Sequence, residues 1–201
     1  MSEHDRQPQP GQIPVLDTKV GWSSLHADGQ QISYGRRSML LDEIEWVGYW
    51  VEQVTEKRFM FPTTYTTYWH FEVGKYPHKA APAVIVTDSR MGRQDELPDW
   101  WTFLVNLSAQ VVEPRLLTDL ITRVRQGETV TVGGSIKVNQ HGINCKRPKL
   151  SLSWDELRIP VSHQGMIYIW NTNSDQPVLT VPLGHPNAVL IQPLFAALSR
   201  Y

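Results

Sequence analysis

Two adjacent carboxylates recur in this chain, Asp42-Glu43 in LLDEIEWV and Asp155-Glu156 in SWDELRIP. Such a pair can divide the work of general acid and general base, one group holding its proton and the other ionised. Seven histidines, at 4, 26, 70, 78, 141, 163 and 185, are candidate bases and metal ligands. They show no His-x-x-x-His spacing and no His-Glu-x-x-His, so no helix is predicted to present a metal pair. A nucleophile needs a base and an orienting group beside it. The chain has no Gly-x-Ser-x-Gly elbow, no phosphate-cradling Gly-x-x-x-x-Gly-Lys loop and no dinucleotide fingerprint. Gly133-Gly134-Ser135 lies between strand-like runs and reads as a bend. The single cysteine, Cys145, rules out an intrachain disulfide and a Cys-based zinc site; it reads as a small apolar residue in a strand. No catalytic residue, metal site or cofactor is therefore predicted.

Binding chemistry has better candidates. Arg36-Arg37 and Lys146-Arg147, with Lys149 close by, fall at two tips between strand-like runs. Several cations at one point can make charge-assisted hydrogen bonds to phosphate. Each cluster holds only two or three charges, fewer than a membrane-binding patch usually carries, so the reading is a solvated hairpin tip, with weak contact to an anionic lipid surface as the alternative. EKRFMFP is the second candidate. Lys57, Arg58, Phe59, Met60 and Phe61 fall where a polar hairpin tip is expected. Three bulky apolar groups there either fold back onto the protein or form a patch for a partner.

The elements that must carry these residues are mostly strands. Asp28-Gly29 and Gly35-Arg36-Arg37 mark turns between short runs. In TYTTYWHFEV, Tyr65, Thr67, Trp69, Phe71 and Val73 alternate with Thr66, Tyr68, His70 and Glu72, the period of a half-buried strand. From Asp99, taken as an N-cap, Trp100, Phe103, Leu104 and Leu107 recur at helical spacing. Pro114 is placed to open a second helix, whose apolar face is Leu116, Leu117, Leu120, Ile121 and Val124 and whose end is Gly127. Strands resume after Gly127, and a last helical stretch begins at Asn187, another candidate cap, with Pro193 threatening to kink it.

The order strands, helix, strands, helix predicts two α+β units. The Asp-Glu phrase occupies the same place in both. Met39 and Leu41 are odd-numbered and Ile44 and Trp46 even; Leu150, Leu152 and Trp154 are even and Leu157, Ile159 and Val161 odd. A strand changes phase only at a bulge, bend or turn. Each Asp-Glu is thus read as a break between strands, with its carboxylates in water, rather than as an acid/base pair. The predicted organisation is a flexible tail over 1–20, a first unit over 21–127 with a long insertion, and a second unit over 128–201.

Several strands followed by one helix resemble the pleckstrin-homology (PH-like) architecture. The stretch LLTDLITRVRQGETVTVGGSIKVNQHGINCKRPKLSLSWDEL and the ending GHPNAVLIQPLFAAL also resemble an uncharacterised bacterial family, a domain of unknown function. The resemblance implies two tandem PH-like units, each a bent antiparallel sheet or partly open barrel closed by a helix. It supplies no catalytic residues. In lipid-binding PH domains, basic residues near an early hairpin hold inositol phosphates, which is what Arg36, Arg37, Lys146 and Arg147 would imply here.

Composition narrows the classes further. The chain has 201 residues, 41% of them apolar, and eight tryptophans, enough for a core. Its net charge of −1 gives no global case for nucleic acid. Residues 1–127 carry net −3 and residues 128–201 net +2. The N-terminal segment lacks the apolar core of a secretory signal, and no run approaches the ~20 apolar residues that span a bilayer. The expectation is a cytoplasmic, non-enzymatic protein-binding or adaptor module with an unidentified protein partner. Peripheral acidic-lipid binding, an immunity-type inhibitor of a toxin, and a hydrolase or transferase with an unfamiliar site are the alternatives. Nothing in the sequence specifies an oligomeric state.

Overall fold

In the computed structural model of the chain, residues 14–56, 63–92, 94 and 96–199 are described. Strands β1 (Leu16–Val20), β2 (Ser23–Ala27), β3 (Gln31–Tyr34) and β4 (Arg37–Leu40) form an antiparallel meander. A 3-10 turn, Leu41–Glu43, leads to a second meander of β5 (Trp46–Glu56), β6 (Thr64–Gly74) and β7 (Ala83–Met91). A helical run follows, made of α1 (Asp99–Leu107), a π turn (Ser108–Val112) and α2 (Glu113–Arg125). The same succession then recurs. Strands β8 (Val130–Val132), β9 (Ile136–Asn139), β10 (Gly142–Cys145) and β11 (Leu150–Ser153) form a four-stranded meander. After a 3-10 turn, Trp154–Glu156, come β12 (Val161–His163), β13 (Met166–Trp170) and β14 (Pro177–Pro182), and then α3 (Ile191–Leu198). The class is α+β, with four antiparallel sheets, each an open row of strands.

Both Asp-Glu phrases lie in the 3-10 turns between the two sheets of a series. Two carboxylates cannot enter a core unpaired, so the chain leaves the strand there and re-enters in the opposite phase. Ser153 closes the second turn with a capping box, its hydroxyl and amide both bonding the Glu156 carboxylate. That hydroxyl holds Glu156 below the usual carboxylate range. Glu43 instead pairs with Lys75 at 3.2 Å. The alternation read in β6 is also observed: Thr67, Trp69, Phe71 and Val73 are buried.

Several sequence expectations change. The first strand begins at Leu16, inside the segment read as a tail; Leu16 and Val20 lie on one face, and only Val20 is fully buried. Asp99 is the first residue of α1, and Pro98 occupies the cap position. Pro114 falls in the first turn of α2, as read from the sequence, but α2 follows α1 without a break through the π turn. The Glu113 amide bonds back to the Ser108 carbonyl, a five-residue step that widens the helix just where Pro114 has no N–H to give. Pro193 does not kink α3, because it falls in the first turn, where amides lack intrahelical partners anyway.

One apolar cluster runs through both series, from Val20, Leu25 and Ile32 to Ile167, Leu194 and Phe195. The seam between the series is the segment Leu183-Gly184-His185-Pro186-Asn187. Asn187 has left-handed backbone (φ 57) and does not cap the helix behind it. Its Oδ1 accepts from the Val47 amide at 3.0 Å, its own amide donates to the Val47 carbonyl at 2.8 Å, and its Nδ2 donates to the Glu45 carbonyl at 3.1 Å. It thereby acts as a short strand partner for the free edge of β5. Gly184 lies on the Trp50 ring so closely that a Cβ would come within 2.9 Å of the ring carbons. On the other side His185 Nδ1 is 3.1 Å from the Gly133 carbonyl.

Candidate functional site

The basic pairs occupy equivalent hairpins, β3–β4 for Arg36 and Arg37 and β10–β11 for Lys146, Arg147 and Lys149. Their surroundings differ. Lys57, Arg58, Phe59, Met60 and Phe61 lie outside the described residues.

At the β10–β11 hairpin the structure has an open hollow of about 840 Å³, lined by Lys137, Asn144, Lys146, Arg147, Lys149 and Ser151 with Cys145 and Leu150. Its floor is a cross-strand row. Lys137 on β9 faces Asn144 on β10, and Asn144 faces Ser151 on β11. The remaining cations rise from the hairpin tip. Residues 128–201 contain six lysines and arginines, and four of them line this hollow. Among the described residues no carboxylate lines it, and none pairs with any of the four cations. Asn144 and Ser151 add neutral hydrogen-bonding groups. The Cys145 thiol faces inward and bonds the Arg147 carbonyl at 3.2 Å, tying the tip down. Lys137 was not foreseen from sequence. It lies nine residues before Lys146, and only the strand register carries it into the hollow.

The corresponding row in the first series is neutralised. His26 on β2 faces Ser33 on β3, and Ser33 faces Ser38 on β4, so His26 takes the place of Lys137. Its Nδ1 is 2.6 Å from Asp17 Oδ1 on β1, and its Nε2 is 3.2 Å from Asp28 Oδ2. The hydrogen bond to Asp17, then that to Asp28, raises the His26 pKa. Arg37 donates Nη1 to the Ala83 carbonyl at 3.3 Å, so part of its donor capacity is spent. A fully exposed Trp22 projects from the adjacent β1–β2 turn.

The other polar clusters are paired internally, with the Nε2 of His70 as the exception. The cleft between the Leu41–Glu43 turn, α2 and β8, about 750 Å³, holds both signs of charge. Arg115 there bonds the Leu41 and Ile44 carbonyls, and Arg123 bonds Asp119 and Glu128. Beneath it, Glu113 Oε1 accepts from Tyr49 Oη at 3.2 Å and Ser108 Oγ at 3.1 Å, and burial raises the pKa of both Glu113 and Tyr49. On the outer face of the β5–β6–β7 sheet, His70 stacks on Trp50 with ring centres 4.2 Å apart. Burial lowers the His70 pKa, and its Nε2 faces Glu52 Oε2 at 4.0 Å without a hydrogen bond. Among the described residues no group of three His, Cys, Asp or Glu side chains is arranged to hold a metal, and no helix is long and apolar enough to cross a membrane.

No family model, no curated protein and no solved structure matches this chain.

Proposed function

We propose that this chain is a non-enzymatic binding protein built from two tandem PH-like units, and that its second unit takes phosphate-bearing anions in the β10–β11 hollow. The twofold succession of four strands, a 3-10 turn, three strands and a helix supports the PH-like reading. The observation carrying the function is the cluster Lys137, Lys146, Arg147 and Lys149, which among the described residues has no ion-pair partner and no carboxylate in its lining. Like charges gathered this closely repel one another, and a bound anion relieves that repulsion. Phosphate offers several acceptor oxygens to the donors of the tip and to Asn144 and Ser151.

Titration with inositol hexakisphosphate, followed by calorimetry and by amide shifts, tests this. Binding localised to residues 137 and 144–151 is expected, weakening steeply as salt rises. The double substitution K146E/R147E should reduce affinity about tenfold or more. Absence of saturable binding at low salt overturns the proposal. Vesicles bearing phosphoinositides, run in parallel, separate a lipid headgroup from a soluble phosphate.

A protein partner is the second reading. The outer face of β5–β6–β7 favours it, for Ile85, opposite Glu72, is 41% exposed there and Met91, opposite Thr66, 77%. Loss of a host-protein complex on I85D/M91D would support it; an unchanged complex would remove this face from consideration.

A further inference from the structure

We propose that the cleft between the Leu41–Glu43 turn, α2 and β8 takes an extended peptide of a partner protein as an added strand on the free edge of β8, with an acidic residue of that peptide on Arg115. The proposal does not depend on the β10–β11 hollow.

β8 is the last strand of its sheet and pairs only with β9. One bond shows which way its backbone groups point. Gly133 donates its amide to the Pro186 carbonyl at 3.0 Å. The trans peptide unit joining Val132 to Gly133 therefore turns its N–H away from β9 and its C=O toward it. Alternation along an antiparallel strand then points the N–H and C=O of Thr131 outward, and with them the Thr129 carbonyl. Among the described residues nothing bonds these three groups. Thr129 and Thr131 both line the cleft of about 750 Å³, so the open edge is presented to it.

The molecule already begins the ladder that a peptide would continue. Pro186 takes the Gly133 amide of this edge, and Asn187 then turns to β5 through Val47 and Glu45. From there toward Thr129 the edge of β8 has no strand beside it. An unpaired edge is a template for another chain, and strand addition draws affinity from the main chain and specificity from the side chains.

The walls specify those side chains. Four carboxylates and three cations line the cleft, a balance that disfavours a polyanion such as nucleic acid. Lys75 is paired with Glu43, and Arg123 with Asp119 and Glu128. Arg115 is the one cation there with no carboxylate partner among the described residues; Asp42 lies beyond ion-pair distance of it. Its Nη2 serves the Leu41 and Ile44 carbonyls, which leaves three of its five N–H groups for a ligand. A carboxylate fits that planar fork. A second hollow, of about 370 Å³, adjoins the cleft at Asp42 and Arg115, and Leu40, Leu41 and Val111 are its apolar wall. Leu40 is 45% exposed. The peptide that satisfies all three features is an extended segment with an acidic residue beside a bulky apolar one.

The test uses the full chain and two pools of short synthetic peptides, randomised except for a central Leu-Glu in one and Leu-Lys in the other. Saturable binders are expected from the Leu-Glu pool. Bound peptide should slow hydrogen exchange at the Thr131 amide and shift the signals of Thr129 and Arg115. Methylating the peptide amide that faces β8 should abolish binding, and methylating its neighbour should not. R115Q should weaken binding about tenfold or more and erase the preference for Glu. Because Arg115 also holds the 3-10 turn, T131P is the second variant: it removes the outward N–H, spares the bonds to β9 and should give a comparable loss. Near-UV circular dichroism checks the fold of both. K146E/R147E should bind like the wild type. Absence of binders in both pools overturns the proposal. So do equal binding of the two pools, protection confined to amides outside β8, or loss of binding in K146E/R147E, which would assign the peptide to the hollow instead.

Discussion

Asn187 Oδ1 and the Val47 amide, 140 residues apart in sequence, are joined by a 3.0 Å hydrogen bond that is fully buried. The same side chain serves the Glu45 carbonyl, so one residue satisfies two backbone groups where β5 begins. In Asn187→Ala both lose this partner, and the Val47 amide is left so in a buried position. A loss of about 1–3 kcal/mol in denaturant unfolding is expected. Asn187→Gly should fall in the same range, because it relieves the left-handed backbone without replacing the amide. A variant as stable as wild type would show that the seam does not rest on this residue.

Gly184 on the Trp50 ring gives a second test of the seam. A methyl at 184 would press on ring carbons 2.9 Å away, and the Trp50 indole is already stacked on His70 of β6 with ring centres 4.2 Å apart. Gly184→Ala should cost about 1–3 kcal/mol by overpacking. Gly184→Ala combined with Trp50→Leu should recover part of that loss, a coupling visible in a double-mutant cycle.

The histidines give stability opposite dependences on pH. His70 has its folded pKa below the ordinary 6.5, chiefly through burial. Its contribution is complete above that value and is lost as pH falls through the folded pKa. His26 has its folded pKa raised, first by the hydrogen bond to Asp17. Its contribution is complete below 6.5 and is lost as pH rises through the folded pKa. Denaturant midpoints measured from about pH 5 to 8 should lose acid-side slope in His70→Phe and alkaline-side slope in His26→Gln. Unchanged slopes in both variants would refute the assignment.

What could be read from sequence follows from which signals are local. The β6 alternation and the phase flip at each Asp-Glu are properties of neighbouring residues, and they gave the strand breaks and the repeated order. β1 was missed because LDTKV buries only Val20 fully and exposes Asp17, Thr18 and Lys19. The continuity of the helix through Pro114 needed the π turn, which leaves no mark in the apolar spacing. Asn187 before a helix looks like a cap; its partners are residues 45 and 47, and no local pattern points to them. The basic tips were legible as charge pairs, whereas Lys137 and the neutralising Asp17–His26 contact depend on register. Trp22 carries no signal of exposure beyond its place in a turn.

The register comparison yields the most discriminating prediction for the hollow. Asp17 faces His26 across β1–β2, and Thr131 faces Lys137 across β8–β9. Thr131 is exposed, and Lys137 has no acidic partner among the described residues. Thr131→Asp would give Lys137 the carboxylate that His26 already has, without altering any cation in the hollow. An opposite-charge cross-strand pair is worth about 0.2–1 kcal/mol, so affinity for inositol hexakisphosphate should fall about 1.4- to fivefold. Thr131→Asn, which keeps the shape and removes the charge, should bind like wild type. If the two variants behave alike, the uncompensated charge of Lys137 is not what draws the anion, and the tip residues Lys146, Arg147 and Lys149 would have to act without it.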